Sequence, residues 1–121
     1  MELIAVGFGC ALGAVCRYLL ENGFNNWTMD PISILVINCV GCFLMGLFTA
    51  IIERREPSKA MAKFMTTGFC GGLTTFSTFT SEVVSLFEEH STVRAWIYWI
   101  GSVVAGICCV AFGFLVTRAF A

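Results

Sequence analysis

Four apolar segments divide this chain, and each is long enough to cross a lipid bilayer as an α-helix. They run over about residues 3–20, 32–52, 61–87 and 95–116, and a bilayer-spanning helix takes about 20 predominantly apolar residues. A helix pairs its own backbone polar groups, as any segment in lipid must. The sequence therefore predicts an all-α integral membrane protein with four transmembrane helices, forming a single domain over residues 1–121.

The overall composition excludes several classes of protein. Hydrophobic residues make up 58% of the chain and charged residues 12%, which is too apolar for an ordinary soluble domain. The net charge of −1 gives no electrostatic support to nucleic-acid binding. The first residues lack the basic stretch of a signal peptide, so we expect the first apolar segment to stay in the protein. The 7 cysteines all lie in apolar segments, which argues against a disulfide framework.

Basic side chains gather on one predicted side of the membrane. The loop after the second segment carries most of them, whereas the first loop contains none and has Glu21 and Asp30 instead. Cytoplasmic loops carry an excess of Lys and Arg. We therefore predict that the second loop and both termini are cytoplasmic. The basic residues on that side are Arg54, Arg55, Lys59, Lys63 and Arg118.

The third segment contains a stretch, from Gly68 to Thr80, that does not suit a regular lipid-facing helix. It combines glycines with many Thr and Ser residues, and both glycine and threonine weaken helices. Irregular backbone at membrane depth survives only where it is buried in protein or lines a wet cavity. We therefore predict that this helix is broken near its middle, at about residues 71–75. Carbonyl oxygens freed by such a break suit a hard cation such as Na⁺.

Two kinds of side chain near the predicted break favour an anion. Phe76 and Phe79 are three residues apart, so their rings share one face of a helix. A phenyl ring has a positive edge, and ring edges in a pore would attract a small anion weakly, as conduction requires. Ordinary packing of the two rings is the alternative. Hydroxyl donors lie beside them, at Thr74, Thr75, Ser77, Thr78, Thr80 and Ser81.

The first two segments each carry one strongly polar side chain with two open interpretations. Arg17 lies one turn from the end of its segment. It either extends to the interface or forms an electropositive pore mouth that attracts anions. Asn38 lies about two turns into the second segment. It either bonds to a neighbouring helix or lines a pore, where its amide can both donate and accept.

Polar groups in the later half of the chain lie at membrane depth or near it. Glu82 is about one turn beyond Phe79, and a carboxylate within a membrane is a functional candidate. Its alternative is a position near the interface, paired with a basic group. Tyr98, Ser102 and Gly106 are spaced by four, so they form one polar or small stripe that could face a pore.

Taken together, these residues closely resemble the small fluoride channel family, often called Fluc or CrcB. The resemblance covers the length and the four passes, and its most specific part is the run from Gly68 to Phe79. Further matching positions are Gly9, Gly13, Arg17, Tyr18, Asn38, Gly41 and Gly46.

The resemblance implies a membrane channel and not an enzyme. Members of that family are antiparallel, dual-topology homodimers with two pores that carry F⁻ passively out of the cell. The implied location is the prokaryotic plasma (inner) membrane, and the implied role is protection from fluoride. The expected partners are therefore fluoride, a second copy of the chain and the lipid bilayer. A structural Na⁺ is expected at the dimer centre, held by backbone carbonyls that match Gly71 and Thr74.

The same resemblance implies which side chains line the anion path. Arg17 remains the candidate for the pore mouth. At Gly106 the family pattern leads us to expect a serine, so the path of this chain differs there. The expected path residues are Asn38, Phe76, Phe79, Ser77, Thr78, Ser81, Glu82, Tyr98 and Ser102.

The distribution of basic residues conflicts with an antiparallel dimer of one chain. Such a dimer needs both orientations in the membrane, and hence a weak charge bias. The bias here is strong. The chain therefore either inserts both ways or pairs with a second, oppositely oriented homologue, and we expect the homodimer.

Two other functions are open from the sequence. A small proton-coupled drug or cation exporter has the same length and number of passes, but it needs a carboxylate deep in the first helix. Only Glu2 is present there, so Glu82 would have to serve. A membrane thiol oxidoreductase would use Cys39 and Cys42, which have the CxxC spacing. Packing of two small residues explains that spacing better, because no basic neighbour lowers a thiol pKa.

Overall fold

The computed structural model describes residues 1–25 and 31–120, so part of the first predicted loop, including Asp30, lies outside the described residues. Everything regular in the described part is helical. We refer to residues 59–88, which hold four helical pieces, as the third segment. The elements in chain order are α1 (Glu2–Asn25), α2 (Ile32–Arg55), α3 (Lys59–Lys63), a π-helix (Phe64–Cys70), α4 (Gly71–Leu73), α5 (Phe76–Glu88) and α6 (Thr92–Phe120).

Three of the helices are long and apolar enough to cross a membrane. They are α1, over Glu2–Gly23, together with α2 and α6. The all-helical membrane architecture predicted from the sequence is thus confirmed. α1 and α6 extend past the predicted limits of residues 3–20 and 95–116. The prediction ended each helix where apolar residues stop, whereas a helix continues into polar residues as long as its backbone bonds are made.

A tight turn connects α2 with the third segment. α2 ends at Arg55, and Glu56 takes a left-handed conformation with φ of 44°. The Glu56 N–H bonds to the carbonyl of Ile52 at 2.9 Å, which satisfies one of the last orphan carbonyls of the helix. Ser58 then caps α3, because its Oγ accepts the N–H of Met61 at 3.2 Å. These local bonds reverse the chain direction.

The first helix pair consists of α1 and the third segment, which run in the same direction. Gly9 lies against the π-helix, where an added Cβ would come within 2.9 Å of the Phe69 nitrogen. One turn later, a Cβ on Gly13 would come within 2.7 Å of the Leu73 nitrogen. The close backbone approach therefore requires glycine at both positions, as the Gly-xxx-Gly spacing indicates.

The second helix pair consists of α2 and α6, which also run in the same direction. Its glycines come from both helices. A Cβ on Gly46 would lie 2.9 Å from the carbonyl carbon of Val110, and one on Gly113 would lie 2.7 Å from the nitrogen of Leu47. Near the same contact, Thr117 Oγ1 donates to the carbonyls of Gly113 and Leu47, at 3.1 and 3.4 Å.

α5 joins the two helix pairs by packing antiparallel to the first half of α6. Phe87 meets Trp96 edge to face, with ring centroids 5.9 Å apart. The apolar side of α5 is buried against α6 and the start of α2. The buried residues of this cluster are Ile34, Phe79, Val83, Leu86, Ala95 and Tyr98.

Candidate functional site

The third segment leaves helical geometry for two residues. α4 ends at Leu73, and α5 begins at Phe76. Between them, Thr74 and Thr75 are extended, with φ and ψ of −85° and 155° and of −143° and 115°. The non-helical stretch is shorter than the predicted residues 71–75, because the chain keeps helical bonds up to Thr74, whose N–H reaches the Cys70 carbonyl at 3.1 Å.

A second irregularity, which the sequence did not indicate, precedes this one. The π-helix occupies 7 residues, Phe64–Cys70, and its last turn leads into Gly71, whose N–H bonds to the carbonyls of Thr66 and Gly68. π-helical turns occur frequently at functional sites. Gly9 of α1 packs against this π-helix, and Gly13 packs where it leads into α4.

Asn38 bonds to the backbone of the interruption through both ends of its amide. Its Oδ1 accepts the N–H of Thr75 at 2.9 Å, and its Nδ2 donates to the Thr75 carbonyl at 3.2 Å. Both backbone groups of the extended residue are thereby satisfied by one side chain. Asn38 therefore bonds to a neighbouring segment, as one of its two interpretations expects, and it also lines a groove between α2, α5 and α6.

Arg17 bonds to the same region from α1. Its Nε donates to the carbonyl of Gly72 at 3.2 Å. In a continuous helix that carbonyl would accept from the N–H of Phe76, so the guanidinium replaces a bond that the interruption removes. Arg17 also lies 3.7 Å from Glu21 in an ion pair one turn along α1. It is not among the side chains that line the groove.

Two further carbonyls lose their usual helical donors at the interruption. In a regular helix, the carbonyls of Gly71 and Thr74 would accept from the N–H groups of Thr75 and Thr78. The first of these donors goes to Asn38, at 2.9 Å, and the second goes to Thr75 Oγ1, at 3.3 Å. The two carbonyl oxygens thus lose these donors, and oxygen ligands are what hard cations take.

Thr75, one of the six hydroxyl residues near the predicted break, has a structural role as a helix cap. Its side chain is the N-cap of α5 and accepts the N–H of Thr78. Its Oγ1 also lies 3.2 Å from Thr78 Oγ1 and 3.3 Å from Ser77 Oγ. The signal for it was a threonine immediately before a helical run, which is a usual cap. Two of the hydroxyls that were expected to line the path, those of Ser77 and Thr78, thus bond to this cap.

A groove of about 390 Å³ runs between α2, α5 and α6, beside the interruption. It brings together four of the predicted path residues: Asn38, Phe76, Phe79 and Ser102. The remaining lining residues are Leu35, Cys39, Cys42, Thr74, Thr75, Val103, Gly106, Ile107 and Val110.

A series of aromatic contacts runs from the groove to Glu82 of α5. Phe76 is 76% exposed and its ring centroid lies 5.9 Å from that of Phe79, which is 6% exposed. Phe79 meets Tyr98 edge to face at 5.2 Å. The Tyr98 hydroxyl donates to Glu82 Oε2 at 2.5 Å. The predicted residues Phe76, Phe79, Tyr98 and Glu82 thus follow one another in space.

Ser102 provides an unused hydrogen-bonding group on the wall of the groove. Its Oγ is buried and has no hydrogen-bond partner among the described residues. Such a group costs free energy unless a ligand or water satisfies it. One turn later, Gly106 leaves space, because an added Cβ would meet only Cys42 Sγ, at 3.5 Å.

Ser81 is exposed and lies outside this groove, as do Ser77 and Thr78. The predicted path residues therefore form two sets. One set lines the groove or continues it through the rings, and the other set lies at the start of α5.

Comparison with known proteins gives matches over nearly the whole chain. A protein-family profile described as "CrcB-like protein, Camphor Resistance (CrcB)" matches residues 4–114. A "Fluoride-specific ion channel FluC" of Rhizobium johnstonii is 37% identical over 128 residues, which covers 100% of this chain and 99% of the relative. Proteins of the same name from Thermotoga maritima and Nitrobacter winogradskyi are 36% and 38% identical. These two matches cover 98% and 96% of this chain, and 95% and 94% of the relatives.

Proposed function

The chain belongs to the CrcB family, and from that premise we propose that it is a fluoride-selective ion channel. The family is one of ion channels and not of enzymes. The observation that carries the proposal is the groove, because it combines the amide of Asn38 and two phenylalanine rings with the buried, unsatisfied hydroxyl of Ser102. Fluoride is a small, strongly hydrated anion, and donors of this kind can replace its water.

Conduction requires sites that attract the ion without holding it. Phe76 and Phe79 line the groove, where ring edges, which carry partial positive charge, would attract an anion, and Ser102 can donate one hydrogen bond. Each contact is weak, and weak sites in series let an ion enter and leave. Tyr98 and Glu82 continue the polar route beyond Phe79. The proposed ion thus passes along the groove from the side of Phe76 toward these two residues.

The interruption supports the proposal of a structural Na⁺ and of an antiparallel homodimer. The carbonyls of Gly71 and Thr74 have lost their helical donors, and a hard cation prefers such oxygens. Gly71 is exposed in the single chain. Because freed backbone groups are not tolerated against lipid, a second copy is the proposed cover, with both copies contributing carbonyls to one ion. When bound, Na⁺ would supply positive charge near the anion path.

Two pores per dimer follow from this arrangement, since each copy has its own groove. The proposed transport is passive and outward, across the prokaryotic plasma membrane, and it would protect the cell from accumulated fluoride. The strong bias of basic residues leaves a heterodimer with an oppositely oriented homologue as the competing assembly. We propose the homodimer because a second copy of the chain would bring the same two carbonyls, of Gly71 and Thr74, to the shared ion.

The direct test is fluoride efflux from liposomes, read with a fluoride electrode. Phe76→Ile and Phe79→Ile keep apolar bulk but remove the ring edges, so each should slow efflux at least about tenfold, or about 1.4 kcal/mol. Phe8→Ile is the matched control, because Phe8 is exposed on α1, away from the groove, and its efflux should equal that of the unmodified protein.

The same liposomes separate the competing functions. Chloride efflux should stay at the background level of empty liposomes. Efflux that depends on a proton gradient and is abolished by Glu82→Gln, with no fluoride conductance, would favour the proton-coupled exporter. Loss of all activity in Cys39→Ser/Cys42→Ser would favour the thiol oxidoreductase. Equal fluoride efflux rates in the unmodified protein and both phenylalanine variants would show that Phe76 and Phe79 are not part of the ion path.

A further inference from the structure

Two arginines at one end of the second helix pair have no role in the proposed channel. Arg54 is in the last turn of α2 and Arg118 is in the last turn of α6, and both are exposed. Because α2 and α6 run in the same direction, these two turns lie side by side. Nη2 of Arg54 donates to the carbonyl of Arg118 at 3.5 Å. The two residues therefore occupy one small surface, which we call the arginine pair.

Most hydrogen-bond donors of the arginine pair are unused. A guanidinium group carries five N–H donors. In the part of the chain that the structure describes, the side chain of Arg54 bonds only to the Arg118 carbonyl. The guanidinium of Arg118 lies over the ring of Phe114, 5.5 Å from its centroid, and this cation–π contact keeps it beside the apolar surface of α6. The pair can therefore accept an anionic ligand.

Acidic side chains leave the arginine pair without an ionic partner. α6 contains no Asp or Glu. On α2, Glu53 is one residue before Arg54, which turns its side chain about 100° away around the helix, and Glu56 follows the last turn. Neither glutamate forms an ion pair with an arginine within residues 1–25 and 31–120. Arg55 adds a third exposed positive charge next to Arg54.

An exposed apolar surface continues from the arginine pair along α6. Leu115 lies one turn before Arg118, and Phe112 lies one turn before Leu115. Their side chains are 61% and 59% exposed. α6 is long and apolar enough to cross a membrane, so this surface extends from the membrane interface toward the hydrocarbon region. Positive charge at the helix end, with apolar side chains directly below it, matches the two chemical parts of a phospholipid.

We propose that the arginine pair binds the phosphate of an anionic phospholipid of the phosphatidylglycerol class, with an acyl chain lying along Leu115 and Phe112. Guanidinium groups bind phosphate oxygens through charge-assisted, often bidentate hydrogen bonds. Basic pockets between transmembrane helices bind anionic lipid headgroups. A phosphatidylcholine headgroup carries its own ammonium group, which the arginines repel, so the anionic lipid is preferred. The inference requires that the chain spans a membrane, but not that it conducts fluoride.

The experiment counts phospholipids bound to the purified full-length protein by native mass spectrometry in detergent. Dioleoyl phosphatidylglycerol or dioleoyl phosphatidylcholine is added at a series of concentrations. The unmodified protein should bind one phosphatidylglycerol per chain at least about tenfold more tightly than phosphatidylcholine. In Arg54→Gln/Arg118→Gln this preference should fall to about twofold or less, because the phosphate loses two positive charges. Arg118→Gln alone should also reduce the preference, and it replaces the double variant if that protein aggregates.

Lys59→Gln/Lys63→Gln is the matched control. It removes the same number of positive charges beyond the same turn of the chain. These lysines belong to α3, which packs against α1, so the variant should keep the preference of the unmodified protein. Arg94→Gln, near the opposite end of α6, should keep it as well.

Three outcomes would overturn the lipid site. The first is equal binding of the two lipids by the unmodified protein. The second is an equal loss of preference in the lysine control, since the lipid would then respond only to total charge. The third is displacement of phosphatidylglycerol by millimolar inorganic phosphate, which would indicate a site for free anions. None of these measurements uses fluoride, so the lipid site and the channel can fail independently.

Discussion

The two helix pairs use the same packing device around very different backbones. In the first pair, Gly9 and Gly13 of α1 accept an irregular partner that contains a π-helix and an extended stretch. In the second pair, Gly46 and Gly113 bring together α2 and α6, which are both continuous. Close backbone contact therefore holds an irregular segment against α1 in one pair and packs two continuous helices together in the other.

The contacts that hold the third segment change at the interruption, Thr74 and Thr75. Glycine packing holds the third segment up to Leu73, and beyond that point side chains take over. α1 contributes Arg17, which bonds to Gly72, and α2 contributes Asn38, which bonds to Thr75. Each helix pair thus supplies one polar side chain, Arg17 to the last turn before the extended stretch and Asn38 to the stretch itself. The groove lies between the continuous helices α2 and α6 and the extended residues Thr74 and Thr75.

The largest expected effect comes from adding one methyl group at either glycine contact. In Gly13→Ala and Gly46→Ala the new Cβ would meet backbone atoms, which cannot rotate away. Overpacking of this kind should cost about 3 kcal/mol in each variant. The measurement is the thermal midpoint of the protein in detergent, together with the fraction that elutes as assembled protein.

Gly7→Ala is the control for both variants. Gly7 has nothing within 4 Å of its added Cβ, and alanine is the better helix former by up to about 1 kcal/mol, so the midpoint should stay or rise. A large loss in Gly13→Ala with none in Gly46→Ala would break the comparison, since it would mean that only the irregular pair depends on close packing.

Much of this arrangement was predictable from the sequence, and the reasons are physical. Apolar length predicts the spans, and Gly-xxx-Gly spacing predicts the close face of α1, because both patterns are local. The structure places Phe76, Phe79 and Asn38 in one groove because they lie on the faces of α5 and α2 that point at each other. Those faces follow from helical periodicity.

Other features could not be predicted, because they depend on contacts between distant residues. No glycine or proline lies at the start of the π-helix, so the sequence contains no local signal for it. The bond from Arg17 to the Gly72 carbonyl joins residues 55 positions apart, so no local pattern predicts it. The predicted unwinding from Gly71 was too wide, since helical bonds continue to Thr74. Propensity shows where a helix is weak, whereas tertiary bonds decide where it ends.

An intermediate effect is expected at Asn38. Asn38→Ala removes both bonds to Thr75 and leaves a half-buried N–H and carbonyl without their partner. Loss of a buried polar partner should cost about 2 kcal/mol. Fluoride efflux should slow by more than the loss of stability accounts for, because Asn38 also lines the groove. The measurements are the efflux rate and the thermal midpoint of the same preparation.

Thr49→Ala is the matched control in α2. The Thr49 hydroxyl bonds only within its own helix in the described part of the chain, to the Met45 carbonyl at 2.7 Å. Its removal should lower the midpoint by less than Asn38→Ala does and leave efflux unchanged. If Asn38→Ala had the same small effect as Thr49→Ala, the interruption would hold its shape without help from α2.

The smallest effect, and the sharpest distinction, is expected at Arg17. Arg17→Lys keeps the positive charge but removes the Nε donor that reaches the Gly72 carbonyl. A residue that acts only as an electropositive pore mouth should tolerate the change, whereas a residue that replaces a lost helical bond should not. One hydrogen bond is worth about 1 kcal/mol, so we expect efflux to slow about fivefold and the thermal midpoint to fall slightly. Arg54→Lys is the control, because Arg54 is exposed at the far end of α2, and its variant should match the unmodified protein. Equal efflux in both lysine variants would assign Arg17 to the pore mouth, and Asn38 would then hold the interruption from α2 without help from α1.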